Sequence, residues 1–241
     1  MKNRFNMFIL SLVILIFSLL LILPHITSTL ATTEKHEIYT FEDLLSCANL
    51  SRTEGHNDDE YVLLSDITIT EENQATLQNN EVKGISFGSD SLPFIGIFDG
   101  NGHTISNLKY DSTLAVKADT GLFSYTGSGA IIKNVIIDNA NLQADYRGGI
   151  IAGYSEGTLF ENILVKNSHL FVSAADNVLT LITDGGIRGG AIVGEANNSV
   201  LYNCEGNNNF VNTNNTSGVA ALSGKGLTLG GLVGIANGTT I

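Results

Sequence analysis

Gly148-Gly149-Ile150-Ile151-Ala152-Gly153, Gly189-Gly190-Ala191-Ile192-Val193-Gly194 and Gly230-Gly231-Leu232-Val233-Gly234 repeat one short phrase at a step of 41 residues. Gly121-Leu122-Phe123 opens the same way, 28 residues before Gly149. A fixed period outranks local propensity, because each repeat can bury its apolar face only against the next one. The glycine ladder reads Gly121, Gly149, Gly190 and Gly231. An asparagine ladder accompanies it: Asn107, Asn134, Asn162 and Asn203, followed by Leu108, Val135, Ile163 and Cys204. Gly121 to Asn134, Gly149 to Asn162 and Gly190 to Asn203 are each 13 residues, whereas the return from asparagine to glycine varies from 14 to 28. Each repeat therefore has a rigid half and an elastic half.

A constant length between a tight glycine turn and an asparagine suits strands that lie in register, about 4.8 Å above their equivalents. The residues two before the asparagines are Ile105, Ile132, Phe160 and Leu201, and those one before are Ser106, Lys133, Glu161 and Tyr202. Apolar positions fall over apolar ones and polar positions face out, the period of a half-buried strand. A basic repeat of 27 to 28 residues predicts three short strands with turns, one coil of a parallel β-helix. Asparagines at equivalent turns are expected to hydrogen-bond up and down the stack.

The whole chain carries a net charge of −12, and without residues 1–31 it keeps 10 basic and 24 acidic residues, a net −14. No basic cluster offsets this, so nucleic acid and anionic lipid are disfavoured as partners. Twenty-six glycines, two prolines and no tryptophan suit many turns between short strands. Cys47 and Cys204 read as unpaired structural thiols, since Cys204 takes a ladder position otherwise held by Leu108, Val135 and Ile163.

Lys2 and Arg4 precede an apolar run at 7–23, followed by Pro24 and the small-residue site Thr29-Leu30-Ala31. Residues 1–31 therefore read as a secretory signal peptide, or as a membrane anchor if uncleaved, and the remainder as exported. Residues 32–103 read as an N-terminal capping segment. It holds a strand at Ile38, a helix capped by Thr40 with Glu42 and Asp43 in its first turn, and strands at 61–64, 67–70 and 85–87. Residues 71–83 read as an acidic excursion. Asp99-Gly100-Asn101-Gly102-His103 predicts a sharp reversal with positive φ, after which residues 104–241 hold the repeats.

Tyr61-Val62-Leu63 with Asp66-Ile67, then Phe94-Ile95-Gly96-Ile97-Phe98-Asp99-Gly100-Asn101-Gly102-His103-Thr104-Ile105, then the Gly-Gly-apolar-apolar-Gly phrases with their following asparagines, resemble the GLUG-motif family. The resemblance covers about residues 37–241. It implies an all-β chain, a right-handed parallel β-helix (a solenoid) with a short N-terminal helix and strand cap, of the kind found in bacterial surface and secreted proteins. Such repeats occur in adhesin-like proteins and beside the catalytic domains of immunoglobulin-A-cleaving metallopeptidases. Insertions at 173–187 and 212–227 depart from the pattern and are candidate binding loops.

Motifs for chemistry are sparse. Asp99-Gly100-Asn101-Gly102 lacks the further acids of a calcium loop and reads as a turn, with His103 a turn histidine. Asp138, Asp145, Glu156, Glu161, Asp176 and Asp184 do not recur on one strand face as a glycosidase pair would require. Arg147 and Arg188 each stand before a Gly-Gly turn, which suggests an exposed two-rung basic column or a plain outward position. There is no HExxH, GxSxG, P-loop or His/Cys metal spacing, so no catalytic residue, cofactor or metal is expected. The reading is an exported surface or secreted repeat scaffold, adhesin-like, binding a glycan or a host or surface protein through lateral loops. The competing reading is the N-terminal part of a larger secreted enzyme, since the chain stops at Ile241 before its next ladder asparagine.

Overall fold

Runs with one inward apolar residue, such as Ile131-Ile132-Lys133 and Leu159-Phe160-Glu161, form three-residue strands whose middle side chain is fully buried. The structure is a computed structural model describing residues 33–79, 84–111, 119–144, 146–172, 186–213 and 228–241. The leader at 1–31, both insertions except their edges, Asp145, Asp176 and Asp184 lie outside the described residues. All described residues belong to one compact unit, Thr33–Ile241.

The chain opens with β1 (Lys35–Ile38), α1 (Phe41–Leu50), β2 (Glu60–Leu63), β3 (Ile67–Thr68) and α2 (Glu71–Asn79). A first round follows: β4 (Ile97–Asp99), β5 (Thr104–Ser106), β6 (Lys109–Asp111) and β7 (Phe123–Thr126). The second comprises β8 (Ile131–Lys133), β9 (Ile136–Asp138), β10 (Asn141–Ala144), β11 (Arg147–Gly149) and β12 (Ala152–Glu156). The third comprises β13 (Leu159–Glu161), β14 (Leu164–Lys166), β15 (His169–Val172), β16 (Arg188–Gly190) and β17 (Val193–Asn197). The last comprises β18 (Val200–Tyr202), β19 (Glu205–Asn207), β20 (Phe210–Asn212), β21 (Thr228–Gly230) and β22 (Val233–Asn237).

Equivalent strands of successive rounds pair in parallel and form five sheets, ordered β1-β2-β4-β8-β13-β18, β3-β5-β9-β14-β19, β6-β10-β15-β20, β11-β16-β21 and β7-β12-β17-β22. A full round thus holds five short strands where three were expected. The difference lies in a second set of asparagines, Asn139, Asn167 and Asn208, five residues after Asn134, Asn162 and Asn203. All six adopt left-handed φ between 51° and 56° and turn the chain after only three strand residues. Asparagine is the side-chain-bearing residue that tolerates this conformation best.

Between the sheets lies a continuous apolar core. Phe98, Ile132, Phe160 and Leu201 stack in one file, and Ile105, Ile137 and Val165 in the next. At the N-terminal end the rings of Tyr61, Phe87, Phe94, Phe98 and Phe123 pack edge-on or tilted, with centroids 5.1–6.0 Å apart. α1 carries the expected cap, with Thr40 and Asp43 exchanging side-chain and backbone hydrogen bonds, and buries Phe41, Leu44, Cys47 and Ala48. Cys47 and Cys204 are both free, and burial pushes the Cys47 thiol up to about 11.

Three further expectations change. Residues 71–79 form α2 instead of an irregular excursion, started by Thr70 and Asn73, which bond each other's backbone and side chain, and anchored by buried Leu77. The Asp99–His103 turn is a corner between two sheets, not a hairpin reversal, because β4 pairs with β2 and β8 while β5 pairs with β3 and β9. It carries two residues more than later corners, since Gly100 stands over Asn134 but Asn107 over Asn139. Asn107 therefore belongs to the second asparagine file. Its 27-residue distance to Asn134 copies the true period by coincidence. Likewise Gly230, not Gly231, pairs with Gly190, because the last return leg is one residue shorter.

The glycines serve close backbone approach. A Cβ on Gly149 would lie 2.2 Å from the Ala152 carbonyl oxygen and 2.5 Å from that of Ile192, whereas one on Gly231 would meet nothing within 4 Å.

Candidate functional site

The most regular outward feature is a flat face framed by two asparagine files. In the first, Asn134 donates to Asp99 Oδ1 at 3.0 Å, Asn162 to Asn134 Oδ1 at 2.9 Å, and Asn203 to Asn162 Oδ1 at 2.7 Å. In the second, Asn139 donates to Asn107 at 2.8 Å and Asn208 to Asn167 at 2.9 Å, while Asn167 donates to Asp138 at 2.9 Å. In the first file the bonds run end to end, so each polarises the next, whereas the second file breaks at Asn167, which turns to Asp138 instead of Asn139. Asn134, Asn162 and Asn203 each spend one of their two side-chain N–H groups on the round below.

Between the files, β9, β14 and β19 present Ile136, Leu164 and Glu205 in one row and Asp138, Lys166 and Asn207 in another. A shallow groove of about 410 Å³ runs beside the first file, lined by Asn134, Ile136, Asn162, Leu164 and Asn203 among others. A second, of about 530 Å³, lies beside the other file where Gln74 of α2 meets Asn107, Lys109, Asn139 and Asn141. Gln74 donates to the Asn107 carbonyl at 2.6 Å, and its own Oε1 is buried without a hydrogen-bond partner.

The acids on these outer faces are engaged singly. Asp99 meets Lys133 at 3.2 Å and Asp138 meets Lys166 at 3.4 Å, in adjacent rounds. Burial would raise the Asp99 carboxyl, but bonds from Asn134, the Asn101 amide and Lys133 hold it below the ordinary carboxylate range. Glu156 accepts from Tyr154 and Asn198. Glu161 stands in register with Lys133 and Tyr202. His103 pairs with Asp66, which also accepts from the Thr104 amide and ties the corner down.

Arg147 and Arg188 do stand over one another, but their side chains are only 15% and 13% exposed, so the exposed basic column is not formed. Arg147 clasps Asp119 with two bonds of 2.6 Å and approaches Glu195, which also receives Arg188 at 2.6 Å. The Arg147 guanidinium lies 4.1 Å from the centre of the Tyr154 ring, itself packed on Tyr125. Burial opposes the Arg147 charge, but Asp119 and Glu195 overrule it and raise its pKa. This network joins neighbouring rounds and has the character of a structural clasp.

Sequence reasoning missed one constellation altogether. The parallel register of β1 on β2, with Lys35 opposite Glu60, sets Glu34 beside Asp59. Asp59, with a side chain only 3% exposed, accepts the Glu34 amide on Oδ1 at 2.8 Å. Its Oδ2 faces both His36 Nε2 and His56 Nδ1, each at 2.8 Å. Burial would raise the Asp59 carboxyl, yet these bonds hold it below the ordinary range. The His36 ring stacks on Tyr61, centroids 4.8 Å apart, and the Tyr61 hydroxyl donates to the His56 carbonyl at 2.7 Å. Twenty residues separate the two histidines, a spacing that matches no metal motif, so only strand pairing reveals the cluster.

Comparison with known proteins finds Halomucin of Haloquadratum walsbyi, 34% identical over 131 residues, which is 52% of this chain. The chain spans 1% of that relative's length. No family model and no solved structure matches.

Proposed function

We propose that this chain is a right-handed parallel β-helix of GLUG-motif type, working as an exported surface or secreted repeat scaffold that binds a glycan or protein ligand along its lateral face. The observation that carries the proposal is the pair of parallel asparagine files framing the outward rows of β9, β14 and β19. Repeated amides at the strand spacing, with Ile136 and Leu164 as an aliphatic floor, offer many weak and equivalent contacts to an extended ligand. Such a surface gains affinity by repetition along the stack and needs no reacting group. The net charge of −12 favours neutral or cationic ligands over acidic ones. Likeness to Halomucin, a mucin by its name, and the leader-like residues 1–31 support a surface or secreted setting.

The test is a glycan array and a panel of extracellular-matrix proteins probed with the full chain and with the double variant Ile136→Lys, Leu164→Lys. Binding that falls at least tenfold in the variant, with an unchanged circular-dichroism spectrum and melting temperature, supports the lateral face. Silence of the parent chain on every surface refutes the binding role, and equal binding by both proteins refutes its placement.

A further inference from the structure

We propose that Glu34, His36, His56 and Asp59 form a binding site for a zinc-class divalent cation that staples the edge strand β1 to the loop between α1 and β2. One donor atom from each of the four lies within 4.8 Å of all the others. Two imidazole nitrogens converge on the same oxygen of a buried carboxylate, each at 2.8 Å, and that oxygen belongs to a side chain only 3% exposed. This is more than a group of surface acids. The carboxylate is already oriented by the Glu34 amide on its other oxygen, and the His36 ring is set by its stack on Tyr61, the outer support that metal-binding side chains require. The His36 and His56 rings stand 6.0 Å apart at 70°, so both nitrogens look into one space.

In a tetrahedral zinc site with bonds of about 2.0 Å, neighbouring donor atoms are roughly 3.3 Å apart. The two nitrogens therefore move only about half an ångström away from Asp59 to admit the ion. In the empty site each of these two nitrogens shares its proton with Asp59 Oδ2; to ligate, each neutral imidazole shifts that proton to its far ring nitrogen and turns the freed lone pair to the ion. His36 Nε2, His56 Nδ1 and Asp59 Oδ2 are three ligands, and the Glu34 carboxylate or a water is the fourth. Two nitrogens with carboxylate oxygen select zinc and its neighbours over calcium or magnesium, which want six or more oxygens or a nearly complete water shell.

The consequence is mechanical. Among the described residues β1 is the edge of the six-stranded sheet and pairs with β2 alone. An ion joining Glu34 and His36 to His56 and Asp59 would cross-link that edge at its open end, where an unpaired strand is most easily frayed or captured by another chain.

The experiment uses the full chain, stripped with chelator and titrated with zinc chloride by calorimetry, with cobalt(II) absorption reporting geometry. One equivalent is expected at micromolar or tighter affinity, with the strong visible bands of tetrahedral cobalt. In native hydrogen exchange, zinc should slow the Glu60 and Leu64 amides, which donate to the Glu34 and Ile38 carbonyls, at least tenfold. His56→Gln, at the more exposed imidazole, should weaken binding at least a hundredfold while the fold persists. His103→Gln with His169→Gln, away from the site, should leave it unchanged. No binding below about 100 μM overturns the proposal, a threshold some 5.5 kcal/mol in affinity by the standard conversion. Equal binding by His56→Gln and the parent also overturns it, since the ion then sits elsewhere.

Discussion

Replacing Asn162 by alanine and, separately, by glycine tests what the asparagine files do. Asn162 sits at φ 54°, donates to Asn134 at 2.9 Å and accepts from Asn203 at 2.7 Å. Both substitutions delete these two exposed side-chain bonds, each worth about 0.5 kcal/mol at the low end of the usual range. Alanine must in addition hold left-handed φ, costing about 1 kcal/mol, which glycine escapes apart from its greater freedom in the unfolded chain. The alanine variant should therefore lose about 2 kcal/mol and the glycine variant about 1 kcal/mol. Urea unfolding followed by circular dichroism reads this directly. With a slope of about 3 kcal/mol/M the midpoint falls by ~0.7 M for alanine and ~0.3 M for glycine. The order reverses the ordinary strand preference, in which alanine is better than glycine. A glycine variant no more stable than the alanine one refutes the corner role, and two variants indistinguishable from the parent refute the ladder as a source of stability.

Two more outcomes follow from the same geometry. Gly149→Ala should cost about 2 kcal/mol or more, because its Cβ would fall 2.2 Å from a backbone oxygen that cannot swing away. Gly231→Ala, with open space around it, should stay within about 0.5 kcal/mol of the parent, and thermal melting of the two side by side checks the register of the last round. Asp59 and Asp99 have folded-state pKa values below the ordinary 3.8, so folding favours their ionised forms. Their stabilisation is complete above pH 3.8 and is lost as pH falls below it through the folded values. Melting temperature should fall more steeply below pH 4 in the parent than in Asp99→Asn, and parallel curves would show that this carboxylate is not held in its ionised form.

The apolar rows were legible in the residues themselves. Ile132, Phe160 and Leu201 recur at the same place relative to an asparagine, and a residue that must point inward in every round cannot drift in sequence without breaking the stack. The first asparagine and the last glycine of the two ladders fall out of register for a shared reason. Asn107 and Gly231 fall at plausible distances, but an extra two residues in one corner and a missing one in a return leg shift the pairing without changing the chemistry of the side chains. Helix α2 was overlooked because its capping pair, Thr70 and Asn73, is a weaker signal than the acidic and amide residues around it.

By itself the sequence determined that the chain is built of short strands, that like residues fall over like, and which face of each strand is apolar, because these follow from periodicity along one dimension. Only the tertiary structure decided that five strands make a round, that Arg147 and Arg188 are enclosed by Asp119 and Glu195, and that His36 and His56 share Asp59. Those outcomes depend on which strands become neighbours in space. Neighbouring strands bring together side chains whose separation along the chain carries no trace of the contact.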